Sequence, residues 1–214
     1  MSTLVLPDPS LVILIGAAGS GKSTLSTRLF PPDEIVSSDA LRAAVSGNEA
    51  DQRASAVAFR ILHRTVDRRL ADGQMTVVDA TNTKSEHRRP LIMRARLTGT
   101  AAVAIVLDLA EPTVTAQNAA RNHRIVDADV VARHLAAIRR TIDSGHLTAE
   151  GVDHIVLLQT TADIDALRIE RGKPARPANR PSNRTSDSPH ADPDARPSRT
   201  PATGPAATAE PTPE

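Results

Sequence analysis

The run Leu11 to Thr24, LVILIGAAGSGKST, restricts this chain more than any other feature in it. Its first five residues are apolar and read as a buried strand. The next eight, Gly16-Ala17-Ala18-Gly19-Ser20-Gly21-Lys22-Ser23, fit G-x-x-x-x-G-K-[ST]. Such a loop needs a strand before it and a helix start after it, and both are present here. Glycines let the backbone curl so that successive N–H groups point inward, and the helix N-terminus adds positive potential. Lys22 then reaches the β and γ phosphates of a nucleoside triphosphate, and Ser23 ligates magnesium. Gly16 to Thr24 are therefore the expected ATP-binding residues, with Ser23 as the metal ligand.

The remaining pattern must supply a fold around this loop. Short apolar runs alternate with longer helical ones, the βαβα order of a parallel sheet covered by helices. Strands are expected at Leu11 to Ile15, Glu34 to Val36, Met75 to Val78, Ala102 to Leu107 and His154 to Leu158. A helix is expected from about Asp51 to Leu70, with Ala56, Phe59, Leu62, Val66 and Leu70 at helical spacing and Asp72-Gly73 as the stop. Two more, Thr113 to about Asn122 and Asp127 to about Ser144, flank a polar, arginine-bearing turn. The fold class is thus α/β: a five-stranded parallel sheet flanked by helices, with the loop strand central and a helical lid at about 113–144.

Composition changes near Gly172. From Lys173 onward come ten of the sixteen prolines, with Ser, Thr, Ala and scattered Arg and no apolar period. Such a segment buries too little to offset the entropy of ordering it, so residues 173–214 are expected to be a disordered tail behind a domain of residues 1–172. The chain has no cysteine, which excludes disulfides, thiolate metal sites and thiol catalysis. Its longest apolar stretch, Ala101 to Leu107, is far too short to span a bilayer, and Met1 to Ser10 has no signal-peptide pattern. A cytoplasmic protein without membrane contact is the expectation. The formal charge of +1 decides nothing about partners. Two phenylalanines are the only aromatics besides histidine, so a strand of many bases cannot be stacked on rings.

Holding ATP leaves the acceptor open. Asp39, in Ser37-Ser38-Asp39, follows the second strand, and in an open parallel sheet strand carboxyl ends face the ligand crevice. Its carboxylate reads equally as the base that takes an attacking hydroxyl's proton or as the N-cap of a helix beginning at Ala40. Arg42, one turn on, reads as a clamp on the acceptor's phosphate or as a surface arginine. Asp79, ending Val77-Val78-Asp79, is placed to reach the magnesium shell, or to brace Arg42 or the loop. Thr81 and Asn82 lie at the same rim. In Gln117 to Arg124, arginines on a hinged helical pair can close over ATP and stabilise the charge that spreads over the transferring group.

The segments GAAGSGKST, IVSSDALR, AFRILH, TVVDATNT and RRPLI, in this order and spacing, resemble the 5′-hydroxyl polynucleotide kinase domain of bacterial polynucleotide kinase-phosphatase, over roughly Leu11 to Arg171. The resemblance implies transfer of the γ phosphate of ATP, with magnesium, to the 5′-OH of RNA or DNA. It makes Lys22 and Ser23 the phosphate and metal ligands, Asp39 the general base, and Arg42 the residue on the acceptor's phosphate. Arg121 and Arg124 fall on the last two arginines of the lid pattern R-N-x-x-R-x-x-R, while Gln117 stands where that pattern has its first. Asp79, Thr81, Asn82, Arg88, Val126 and Val130 become acceptor-side residues. The chain continues as the proline-rich tail where those proteins carry phosphatase and ligase-like domains, so separate 3′-phosphatase and ligase partners are expected. Two other readings remain at this point: a P-loop kinase of a small molecule (a sugar such as gluconate, an antibiotic or a nucleotide sugar, as in the zeta-toxin group) and a non-catalytic ATP-binding switch.

Overall fold

The computed structural model describes residues 2–48, 51–121 and 125–173. In chain order these form β1 (Ser2–Pro7), β2 (Ser10–Gly16), α1 (Lys22–Leu29), β3 (Ile35–Ser37), α2 (Ser38–Ser46), α3 (Ser55–Ala71), β4 (Thr76–Asp79), α4 (Ser85–Thr98), β5 (Ala101–Leu107), α5 (Glu111–Ala119), α6 (Ala128–Asp143), α7 (His146–Glu150), β6 (His154–Leu158), α8 (Thr161–Ala166) and β7 (Leu167–Gly172). Residues 122–124, Arg124 among them, and residues 174–214, all of the expected tail but its first residue, lie outside the described residues.

Five strands form one parallel sheet in the order β3-β4-β2-β5-β6, with β2 in the middle as expected. All seven residues of β2 and all seven of β5 are buried, because helices cover both faces of a parallel sheet. Alternation along β2 divides the core. Leu11, Ile13 and Ile15 pack with Leu62 and Val66 of α3, Leu91 and Ile92 of α4, and Leu135 and Ile138 of α6. Val12 and Leu14 pack on the other face with Leu25 of α1 and Phe30.

The helices depart from expectation in detail. Helix α3 starts at Ser55, after a 3₁₀ turn over Gln52–Ala54, and buries Ala58, Leu62, Val66 and Leu70. Ala56, expected in the core, is exposed, since two residues from Ala58 is about 200° around a helix. Strands β1 and β7 were not expected at all. They pair in parallel from Ser2↔Leu167 to Pro7↔Gly172, and their Leu6 and Leu167 extend the core on the α1 face. The composition break at Gly172 therefore coincides with the last strand residue.

Candidate active site

Strand β2 delivers the glycine loop to the carboxyl edge of the sheet. Its last residue is tied in place by Gly16 N, which donates to Thr81 O at 3.1 Å beyond β4. Gly19 and Gly21 have φ of 84° and 90°, the left-handed region that a side chain disfavours. Gly19 has a second constraint. A Cβ there would lie 2.7 Å from Cβ of Asn118, so the end of α5 rests directly on the loop. Helix α1 begins at Lys22 with no side-chain cap and no acid in its first turn, which leaves its N-terminal N–H groups and dipole for an anion.

Lys22 is buried, and its Nζ donates to Ala17 O at 2.6 Å and more weakly to Ser20 Oγ at 3.5 Å. Burial pushes this ammonium down to about 8; the nearby Asp79 carboxylate opposes the fall and the Arg121 guanidinium adds to it. Ser23 Oγ donates to Asp79 Oδ2 at 2.7 Å. Of the options open for Asp79 in the sequence, the structure has it bracing the loop serine. These residues fit a nucleoside triphosphate with magnesium. A glycine cradle with free helix N–H groups, a buried lysine and a Ser–Asp pair form a donor set in which the ion keeps water and phosphate as its other ligands.

Facing the loop, α2 carries Asp39 and Arg42, whose carboxylate and guanidinium are bonded to each other across one turn. The helix begins at Ser38, not Ala40, and its N-cap is Ser37, whose Oγ accepts from Ala40 N at 3.4 Å. The capping reading of Asp39 is thereby corrected: Asp39 sits inside the first turn and the neighbouring serine does the capping. Beside it, the ring of Phe59 on α3 stacks on His87 of α4, with centroids 5.8 Å apart and 27° between planes. Burial holds His87 below its ordinary value, with Glu86 opposing and Lys84 and Arg88 adding to the fall. On the remaining side, Asn118 staples the turn between α5 and α6, donating from Nδ2 to Val126 O at 2.6 Å and accepting at Oδ1 from Val126 N at 3.1 Å. That staple brings Arg121 and Val126 to the same opening.

Lys22, Ser23, Asp39, Arg42, Phe59, Asp79, His87, Arg121 and Val126 line one cleft of about 1040 Å³. The family described as AAA domain, AAA_33, matches residues 11–144, more than half of the chain and all of the loop, α2 and the α5–α6 pair. The chain belongs to the AAA_33 family. No curated protein matches it. Among solved structures, it is similar to a chain of the Pnkp1/Rnl/Hen1 RNA repair complex, 18% identical over 64% of this chain and 46% of that one, with a TM-score of 0.56. It is also similar to a chain of the AvrRxo1-ORF1:-ORF2 complex, 17% identical over 72% of this chain and 55% of that one, with a TM-score of 0.56. A gluconokinase from Sinorhizobium meliloti 1021 matches at 18% identity over 74% of this chain and 88% of its own, with a TM-score of 0.46. At such identities the likeness is one of fold, that of a P-loop kinase. This chain spans about half the length of each of the first two.

In this AAA_33 domain the cleft gathers Ala18 to Thr24, Asp39, Arg42, Asp79, Thr81, Gln117, Arg121, Val126 and Val130 from the sequence-derived set. Gly16 and the buried Ala17 lie behind it as the stem of the loop. Two residues are not brought there. Asn82, at a φ of 46°, donates its Nδ2 to Leu14 O at 2.8 Å and is buried. Arg88 is buried as well: it grips both oxygens of Glu150 on α7 at 2.8 and 2.6 Å and donates to Asn82 O and Thr83 O at 3.0 and 2.9 Å. Both polar groups brace the turn after β4. Conversely, the cleft includes residues the sequence did not mark, among them Phe59, His87, His134 and the α8 residues Thr161 and Asp165. Phe59 had the spacing of a core residue, which is all that a period can report. Among the described residues, no helix is long and apolar enough to cross a membrane.

Proposed function

We propose that this chain is a kinase that moves the γ phosphoryl group of ATP to the 5′-hydroxyl end of RNA or DNA. The observation that carries the reading is the Asp39–Arg42 pair, which shares one cleft with the loop lysine. ATP with magnesium supplies the phosphoryl group and balances part of its charge. The N–H groups of Gly19 to Ser23 cradle its phosphates, Lys22 Nζ leaves Ala17 O to meet them, and Ser23 with Asp79 holds the metal side. Asp39, on the opposite wall, takes the proton of the attacking hydroxyl at a carboxylate oxygen, while Arg42 orients that carboxylate and meets the acceptor's nearest phosphate. Arg121 comes from the α5–α6 side and faces the charge that spreads in transfer. Gln117 stands where the resembled lid pattern has an arginine; its Oε1 is buried with no hydrogen-bond partner, an amide where a cation would otherwise sit. Val126 and Val130 close the acceptor side with apolar surface.

Membership of an RNA repair complex by one structural neighbour supports a nucleic-acid acceptor, and with it separate enzymes for 3′ healing and sealing. The test is acceptor profiling with γ-labelled ATP against 5′-OH RNA and DNA oligonucleotides, gluconate and related sugars, aminoglycosides and nucleotide sugars. Label on the oligonucleotides is expected. Label on a small hydroxyl compound alone would make this a small-molecule kinase, and ATP binding with no transfer to anything would make it a switch.

A further inference from the structure

Two helices that give the acceptor side of the cleft Phe59 and His87, α3 and α4, are strongly basic. Helices α3 and α4 each carry four arginines against a single acid, although the whole chain has a formal charge of only +1. Some of these arginines are committed. Arg88 is buried on Glu150, Arg94 pairs with Asp67 at 2.5 Å, and Arg69 turns inward to Met75 O at 2.8 Å. Arg60 and Arg64, like Arg89 and Arg96 on α4, are exposed, and among the described residues none of the four has an acid within ion-pair distance. Arg60 follows directly on Phe59, which lines the cleft and stacks on His87, and Arg64 comes one turn later. Four residues apart on one helix, they stand about 6 Å from each other along an axis that leads away from the cleft. A solvated helix needs no such imbalance, and mixed charges would serve solubility equally well.

We infer that Arg60 and Arg64 form a track for the sugar-phosphate backbone of a single-stranded acceptor, beyond its terminal nucleotide, and that the strand leaves the cleft over the Phe59–His87 pair. This rests on the polynucleotide reading of the cleft. Exposed guanidiniums without acid partners release counterions when they meet phosphates, so the contribution grows with acceptor length and falls with salt. Ring stacking at the exit holds one base without reading its sequence, in keeping with a chain that has two phenylalanines.

The experiment compares the wild type with R60E/R64E, and with the milder R60Q/R64Q in case charge reversal impairs folding, each checked by thermal melting and ATP binding. Acceptors are a nucleoside 3′-phosphate and a 5′-OH single strand of about twelve nucleotides, and the fluorescein-labelled strand is also titrated by anisotropy. The variants are expected to raise KM for the long strand about tenfold or more, to leave kcat and KM for the nucleoside 3′-phosphate unchanged, and to flatten the log–log salt slope of strand binding by roughly 1.4, two phosphates' worth. Equal KM at both lengths with an unchanged slope would overturn the track while leaving the kinase intact. Strand binding that depends on Arg60 and Arg64 in a protein that phosphorylates only a small molecule would keep the surface and remove the acceptor reading. A wild type that neither binds nor phosphorylates the strand would overturn both.

Discussion

The two walls of the cleft are built in opposite ways. On the donor wall, one contiguous stretch, Gly16 to Thr24, provides backbone N–H groups, a helix terminus and two side chains, and the loop is pinned by Gly16 to Thr81, by Asp79 on Ser23 and by Asn118 against Gly19. On the acceptor wall, Asp39 and Arg42 come from α2, Phe59 from α3, His87 from α4 and Val126 and Val130 from the α5–α6 side. A phosphate grip made of backbone is indifferent to most substitutions and serves any nucleoside triphosphate. Acceptor choice rests on side chains from separate elements, each replaceable without disturbing the loop, which is why one fold hosts so many acceptors.

If that division holds, damage to the donor wall should abolish chemistry whatever the acceptor. Lys22→Met is expected to lower phosphoryl transfer about 10³-fold or more with every acceptor, by analogy with other lost charge-stabilising groups, while the fold persists. Its melting temperature near pH 7 should hold or rise, because a buried ammonium is replaced by an apolar side chain, offset by the bond lost at Ala17 O. Selective loss with one acceptor only would blur the two walls into one.

Arg88 tests the support beneath the acceptor wall. Arg88→Ala leaves Glu150 buried without its cation and frees the carbonyls of Asn82 and Thr83. A cost of about 3–5 kcal/mol in unfolding free energy is expected, measured by urea denaturation. Catalysis by the fraction still folded should be near normal. Full stability with a raised KM for acceptor would return Arg88 to substrate binding.

The contrast between the walls also decides what was legible. The loop, its strand and the central place of β2 follow from contiguous residues, and so do the boundaries of β5 and α6 to within a residue. Arg88 and Asn82 looked like binding groups because they are polar residues near a strand end; only the tertiary structure shows that each is consumed by a buried partner, Glu150 and Leu14 O. The pairing of β1 with β7 joins opposite ends of the described chain, and neither strand carries a local sign of the other. Phe59 is the instructive case. Its spacing marks it as facing inward, which is right, but besides packing against the core its ring lines the cleft and stacks on His87.

Asp39→Asn sharpens the acceptor wall. Ser37 provides the cap of α2, so loss of the carboxylate should cost little stability through capping. Turnover on a 5′-OH oligonucleotide is expected to fall by roughly 10²-fold or more at unchanged ATP affinity, as for loss of a general base. Stopped-flow transfer with calorimetric ATP binding separates the two. Near-normal turnover would move the base role to Asp79, the cleft carboxylate that ends β4 beside the loop.

The smallest effect is a pH dependence confined to the donor wall. Lys22 titrates at about 8 in the folded, ligand-free protein against an ordinary value of 10.5, so between those values the unfolded chain holds more protons than the folded one. This group's contribution to stability therefore rises with pH through that window. For ATP the sign is opposite. Phosphates attract the charged ammonium, so above pH 8 binding must take up a proton, and the Kd for ATP should climb towards about tenfold per pH unit there while changing by no more than about twofold from pH 7 to 8. Calorimetry at several pH values, in two buffers of different ionisation enthalpy, counts the proton directly. Lys22→Arg, which keeps its charge at every pH used, should lose the dependence even if its bulk weakens binding overall. The Asp39→Asn variant should keep it unchanged, because its carboxylate stands on the other wall. Proton uptake that vanished in Asp39→Asn but persisted in Lys22→Arg would mean that the walls are electrostatically one site, and that the separation of donor from acceptor ends at the backbone.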